Sequence, residues 1–157
     1  MATTYFVPGN NLLEVFDKLL VNTTERLYVM MYHISVKGEA RELVDLIVER
    51  VPKVKDVRFV LNYQGDEALR KGIVDFIKNF RGMGDKVKVW ITDKTTAHAK
   101  LFILDNWLVL GSTNISPKAL SSNFEANILT NDPKAVVAAV DWFEEVTKLC
   151  EPVNGEE

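Results

Sequence analysis

The chain is poor in the residues that build many common sites. It has one cysteine and two histidines in 157 residues. Cys150 alone excludes an internal disulfide and a cysteine-cluster zinc centre. His33 and His98 leave little material for a histidine metal site, so neither metal nor cofactor is expected. No uninterrupted apolar run approaches the roughly 18 residues needed to span a bilayer. The opening MATTYFVPGNN has no basic start and no apolar core, so a signal peptide is not expected. These absences point to a cytoplasmic protein with no stable membrane association. The sequons Asn22-Thr23-Thr24 and Asn114-Ile115-Ser116 carry no weight in that compartment. Proline and glycine are scarce, at 5 and 8 residues, which argues against linkers and low-complexity tracts. A basic excess is also missing: 19 Lys and Arg stand against 22 Asp and Glu, a net charge of −3. Any contact with phosphates must therefore come from a local patch, such as Arg81, Lys86, Lys88 and Lys94, which read equally well as solvated surface charges.

What is present is the composition of an ordinary globular protein, 47% hydrophobic and 26% charged. The length fits a single domain over residues 1–157. Short apolar runs alternate with amphipathic stretches. Strands are predicted at Thr4–Val7, Arg26–Ile34, Val57–Leu61, Lys86–Ile91, on both sides of Asp105-Asn106, and at Phe124–Thr130. Helices are predicted from an Asn10 or Asn11 cap to Leu20, over Glu39–Val51 and Asp66–Phe80, from Ser116-Pro117, and from Asp132-Pro133 through Val146. The βαβαβ order of the first half implies right-handed crossovers and parallel strands, and the second half adds an antiparallel hairpin. The expected fold is α/β: a three-layer α/β/α sandwich around a mixed sheet.

The segment His98–Asn114, HAKLFILDNWLVLGSTN, concentrates the chemistry. His98 and Lys100 are two residues apart, which on a strand puts both side chains on one face. Ser112 and Asn114 repeat that spacing after Gly111. These residue types suit a held and attacked phosphate: Lys100 brings charge and donors, Ser112 and Asn114 neutral donors, and His98 a nitrogen able to act as nucleophile or acid near neutrality. Gly111 allows close backbone approach. The expected hairpin register pairs His98 with Asn114 and Lys100 with Ser112 across a three-residue loop, Asp105-Asn106-Trp107. A two-residue loop would send Ser112 and Asn114 to the other face. Asp105 reads as a turn residue. Glu125 lies in an apolar run, where a charge needs a partner. Trp107 and Phe124 read as core or interface, with stacking on a base as the alternative, Cys150 as inert, and His33 as either a substrate contact or a structural hydrogen bond.

These residues resemble the HKD signature of the phospholipase D superfamily, HxKx4D followed by GSxN, through His98, Lys100, Asp105, Gly111, Ser112 and Asn114. The Asp-to-Gly spacing is one residue shorter than is usual there. FVPGNN, RLYVMMYHIS and SSNFEANI are similar to further segments of the family, so the likeness runs over about residues 5–131. It implies a metal-independent phosphodiesterase in which one histidine attacks phosphorus and a second protonates the leaving oxygen. Lys100, Ser112 and Asn114 would bind the phosphate. His98, Lys100, Asp105 and Glu125 make up the implied catalytic set, with Glu125 bonded to the catalytic histidine and Asp105 ordering the hairpin. The mechanism needs two HKD sets, and His33 lacks the residues that would complete a second. The resemblance therefore implies a homodimer with the site on its two-fold axis. Short single-motif members point to an endonuclease acting on DNA or RNA. The alternatives are a phospholipase or phosphatidyl transferase, and a nucleic-acid-binding module without turnover.

Overall fold

The computed structural model describes residues 1–153. Eight strands form one mixed sheet: β1 (Thr4–Pro8), β2 (Arg26–Met31), β3 (Asp56–Asn62), β4 (Val87–Thr92), β5 (Lys100–Leu104), β6 (Trp107–Gly111), β7 (Ala126–Thr130) and β8 (Glu151–Val153). Their order across the sheet is β1-β7-β6-β5-β2-β3-β4-β8. β2, β3 and β4 are parallel, and the other neighbours are antiparallel. The helices are α1 (Leu12–Leu20), α2 (Gly38–Arg50), α3 (Glu67–Lys78), α4 (Pro117–Ser121) and α5 (Pro133–Thr147). None of the helices among the described residues is long and apolar enough to cross a membrane.

Alternation along the strands builds two cores. Leu27, Val29 and Met31 of β2 pack with Phe16 of α1, Leu43 of α2 and Phe76 of α3. Tyr28 and Met30 face the other way, toward Val136 and Phe143 of α5. α1, α2 and α3 thus cover one face and α5 alone serves the other, which is the expected α/β/α sandwich with a mixed sheet. The helix starts have identifiable causes. Asp66 accepts a hydrogen bond from the Leu69 amide, and Asp132 accepts one from Lys134 beside Pro133. The side chains of Asn11 and Ser116 occupy cap positions without making that bond.

The structure corrects the hairpin. Leu104 pairs with Trp107 and Lys100 with Gly111, so the connection is the two-residue turn Asp105-Asn106. Asp105 takes φ +53°, a left-handed conformation that Asp tolerates better than most residues. Its carboxylate accepts the amides of Thr24, Glu25 and Arg26 at the start of β2. This clamp stabilises the shorter turn.

Two strands are shorter than expected. β2 stops at Met31 because the His33 amide bonds to the Asn114 side chain instead of a ladder partner. Ile34, fully buried, makes only an isolated bridge to Ile115. β7 begins at Ala126, since the Glu125 carbonyl is taken by the Gly9 amide. β8 escaped the sequence reading. Pro152 sits in it, tolerated because the strand forms the sheet edge.

Candidate active site at one end of the sheet

The parallel strands β2, β3 and β4 finish at one end of the sheet. β5 starts at that end and β6 finishes there. This is where ligands bind in open α/β sheets. Lys100 opens β5 and is only 8% exposed, whereas His98 projects from the preceding segment and is solvent-accessible. The Lys100 ammonium lies 3.1 Å from His98 Nδ1. An ammonium can only donate, so Nδ1 accepts and a neutral imidazole carries its proton on Nε2. Burial lowers the Lys100 pKa from its ordinary value, and the nearby Glu125 carboxylate opposes that shift.

Two residues outside the motif hold this pair. The Tyr32 ring packs on the His98 ring at 4.5 Å between centroids and lies 5.2 Å from the Lys100 ammonium. Asn62, buried at the end of β3, accepts the Ala97 amide at 3.2 Å and donates to the Gln64 carbonyl. It fixes the backbone one residue before His98. Neither residue has a motif signature. Both lie where the parallel strands finish, Tyr32 just after β2 and Asn62 as the last residue of β3.

The other motif residues reach this end by a route the sequence reading did not foresee. After Gly111 the chain leaves its pairing with β5. The Ser112 amide bonds to the Ala126 carbonyl, and the Ser112 hydroxyl donates to Glu125 at 2.6 Å while accepting the Ala126 amide. Its one proton is therefore committed to Glu125, and Ser112 offers no free donor to a phosphate in this arrangement. Asn123 donates to the second Glu125 oxygen at 3.2 Å. The expected bond between Glu125 and His98 is not made within the chain. Asn114 accepts the His33 amide through Oδ1, which turns its amide nitrogen away from that bond as a donor.

Glycines make room for these contacts. A Cβ on Gly111 would lie 2.3 Å from the Ala126 carbonyl oxygen, and one on Gly9 would lie 2.7 Å from the Glu125 Cβ. His98, Lys100, Ser112, Asn114 and Glu125 thus gather at one end. Asp105 does not: it sits at the other end of β5, roughly 17 Å away for five strand steps. Its grouping with the reacting residues is corrected accordingly.

The basic patch also divides. Lys94 lies in the segment that carries His98, whereas Arg81 and Lys86 follow α3 toward the far end of the sheet and Lys88 lies near the start of β4. His33 contributes its backbone amide to Asn114. Trp107 is half-buried and stacks on Tyr5, Phe124 is fully exposed rather than core, and Cys150 is half-buried with its thiol pKa pushed up by burial. Among the described residues no cluster of three or more His, Cys, Asp or Glu side chains could hold a metal ion.

Comparison with solved structures finds this fold in NucT from Helicobacter pylori, with a TM-score of 0.75 and 14% identity over 98% of this chain and 100% of that one. Nuc from Salmonella typhimurium, a phospholipase D family member, matches with a TM-score of 0.76 and 15% identity over 98% of both chains. Phosphatidylserine synthase from Haemophilus influenzae matches at 0.71 and 14%, over 97% of this chain but 40% of its own. No curated protein sequence matches. A family model described as "Cardiolipin synthase, PLD-like domain" matches residues 16–147. The chain belongs to that phospholipase D-like family.

Proposed function

We propose that the chain is a metal-independent phosphodiesterase, an endonuclease acting on DNA or RNA at a site shared by two copies. The observation that carries this reading is the His98–Lys100 pair at 3.1 Å, presented once per chain at the open end of the sheet. In the proposed reaction His98 Nε2 attacks phosphorus. An N–P bond forms, the P–O bond to the leaving group breaks, and the partner's His98 gives its proton to the leaving oxygen. Water then attacks the phosphohistidine, the partner's His98 takes the water's proton, and the N–P bond breaks. Lys100 and the Asn114 amide stabilise charge on the non-bridging oxygens. Ser112 acts as a positioning residue that holds Glu125.

The tautomer supports sharing. A nucleophilic Nε2 needs its lone pair free, so the proton must sit on Nδ1 and face an acceptor. Within one chain, Nδ1 faces Lys100, a donor. Glu125 keeps acceptor capacity beyond its bonds to Ser112 and Asn123, and in the proposed dimer it meets Nδ1 of the partner's His98. Asp105 is a scaffold residue in this scheme. The full-length match to the bacterial protein Nuc favours the nuclease reading. The phosphatidyl-transfer reading draws on the synthase, of which this chain spans only 40%.

The test is cleavage of single- and double-stranded DNA and RNA in EDTA, comparing wild type with His98→Ala. The expected result is cleavage by wild type alone. Activity that survives in His98→Ala, or that requires a divalent metal, contradicts the mechanism.

A further inference from the structure

The His98–Lys100 pair carries a charge problem. The buried Lys100 ammonium lies against the His98 imidazole. When His98 bonds to phosphorus in the proposed reaction, its ring becomes cationic beside that ammonium. Like charges this close disfavour each other unless a third group attracts them. Glu125 is the carboxylate that faces Lys100 and favours its charged form. Its oxygens already accept bonds from Ser112 and Asn123.

Tyr32 stands on the remaining side. Its ring centroid is 4.5 Å from that of His98, with the ring planes tilted by 47°, and the Lys100 ammonium lies over its face at 5.2 Å. At these distances the negative face of an aromatic ring attracts a ring edge and a cation. Both contacts are made by the ring and not by the hydroxyl. The half-buried ring is also pinned through its backbone. Met31 before it and Ile34 after it are fully buried, and the His33 amide between them donates to Asn114 at 3.1 Å. If packing were its whole role, any apolar side chain of similar size would serve. An electrostatic role requires an aromatic face.

We propose that Tyr32 is a positioning residue whose ring face holds the His98 imidazole in its reactive orientation and keeps the Lys100 ammonium charged while His98 becomes cationic. Its effect on rate rests on the reading of His98 as nucleophile, but its effect on Lys100 is measured without turnover.

The experiment compares wild type, Tyr32→Phe and Tyr32→Leu in the full chain. Lysine side chains labelled at Cε are titrated by NMR, and Lys100 is identified by the signal missing from Lys100→Arg. Hydrolysis of bis(p-nitrophenyl) phosphate in EDTA supplies kcat and KM. Tyr32→Leu keeps an apolar side chain and loses the aromatic face. Its Lys100 pKa is expected to fall by about 0.5 or more, and the alkaline limb of kcat/KM should move down with it. Its kcat should fall by about 30-fold with KM within about three-fold of wild type. Tyr32→Phe keeps the face, so its Lys100 pKa should be that of wild type and its kcat within about two-fold. A Tyr32→Leu variant with the wild-type Lys100 pKa overturns the proposal, as does a loss of kcat that Tyr32→Phe shares. A raised KM at unchanged kcat overturns it in favour of a substrate contact. If wild type hydrolyses no phosphodiester, the nucleophile reading falls. A lowered Lys100 pKa in Tyr32→Leu then still upholds the hold on Lys100, and an unchanged one overturns it. Should Tyr32→Leu misfold, Tyr32→Met takes its place with the same expected results.

Discussion

The two ends of the β5–β6 hairpin use polar residues in opposite ways. At one end His98 is exposed, and Lys100, buried with a lowered pKa, donates to the imidazole Nδ1. At the other, Asp105 is wrapped by the amides of Thr24, Glu25 and Arg26 and touches nothing that could react. One short motif therefore contains both chemistry and scaffold. Shared membership in a sequence pattern says nothing about shared function when about 17 Å of strand separates the residues.

That division predicts opposite phenotypes. The largest effect belongs to His98→Ala, expected to lower the rate of phosphodiester cleavage by about 1,000-fold or more. Its melting curve should match wild type within about 0.5 kcal/mol, because an exposed side chain with few contacts is lost. Asp105→Ala should do the reverse. It leaves three amides without their carboxylate, and urea unfolding should show a loss of about 2 kcal/mol. Below its melting transition its cleavage rate should stay within a few-fold of wild type. If Asp105→Ala were as inactive as His98→Ala while fully folded, the division would break.

Much of the fold was legible because burial leaves a periodic trace. β3 and β4 were read to within about a residue, and α2, α3 and α5 nearly so, since each carries an unbroken apolar stripe. The hairpin register left no such trace. β5 is buried on both faces, so a one-residue shift exchanges one apolar side chain for another. Its deciding feature was the bond from Asp105 to β2, roughly eighty residues away in sequence. The site was legible as a set of residue types, but its wiring was not. Pairing Glu125 with Ser112, and His98 with Lys100 and Tyr32, depends on where the chain leaves the sheet after Gly111 and Met31. Phe124 is exposed and not core because β7 starts only two residues later, which sequence cannot show.

Two smaller effects sharpen the comparison through pH. Lys100 has a lowered pKa, so it loses its proton at a lower pH than a free lysine. In kcat/KM the alkaline limb should therefore fall below the ordinary lysine value of 10.5, and Lys100→Arg, if active, should move that limb upward. A limb at or above that value would remove Lys100 from the site chemistry.

The smallest effect lies at the far end of the sheet, where buried Tyr28 meets half-buried Asp56 and Arg58. Burial raises the Tyr28 hydroxyl to about 12, assisted by its bond to Asp56. Burial would also raise Asp56, but bonds from Arg58 and Tyr28 outweigh it and hold the carboxyl below its ordinary 3.8. A depressed folded pKa stabilises above the unfolded value and is lost as pH falls through the folded one. Asp56→Asn should cost about 1 kcal/mol at pH 7. Thermal melts at successively lower pH should show this difference shrinking below pH 3.8. Cleavage should be unaffected, since no member of this group reaches the His98 end.

The central claim is that His98 forms the bond to phosphorus. It is tested most directly by quenching the enzyme during turnover of bis(p-nitrophenyl) phosphate in EDTA and mapping the adduct by mass spectrometry. Trypsin releases residues 95–100, in which His98 is the sole histidine. The account predicts a p-nitrophenyl phosphoryl group on that peptide, labile to acid, stable to base and absent from His98→Ala. An adduct on Ser112, or steady turnover with His98 unmodified and replaceable, would contradict it.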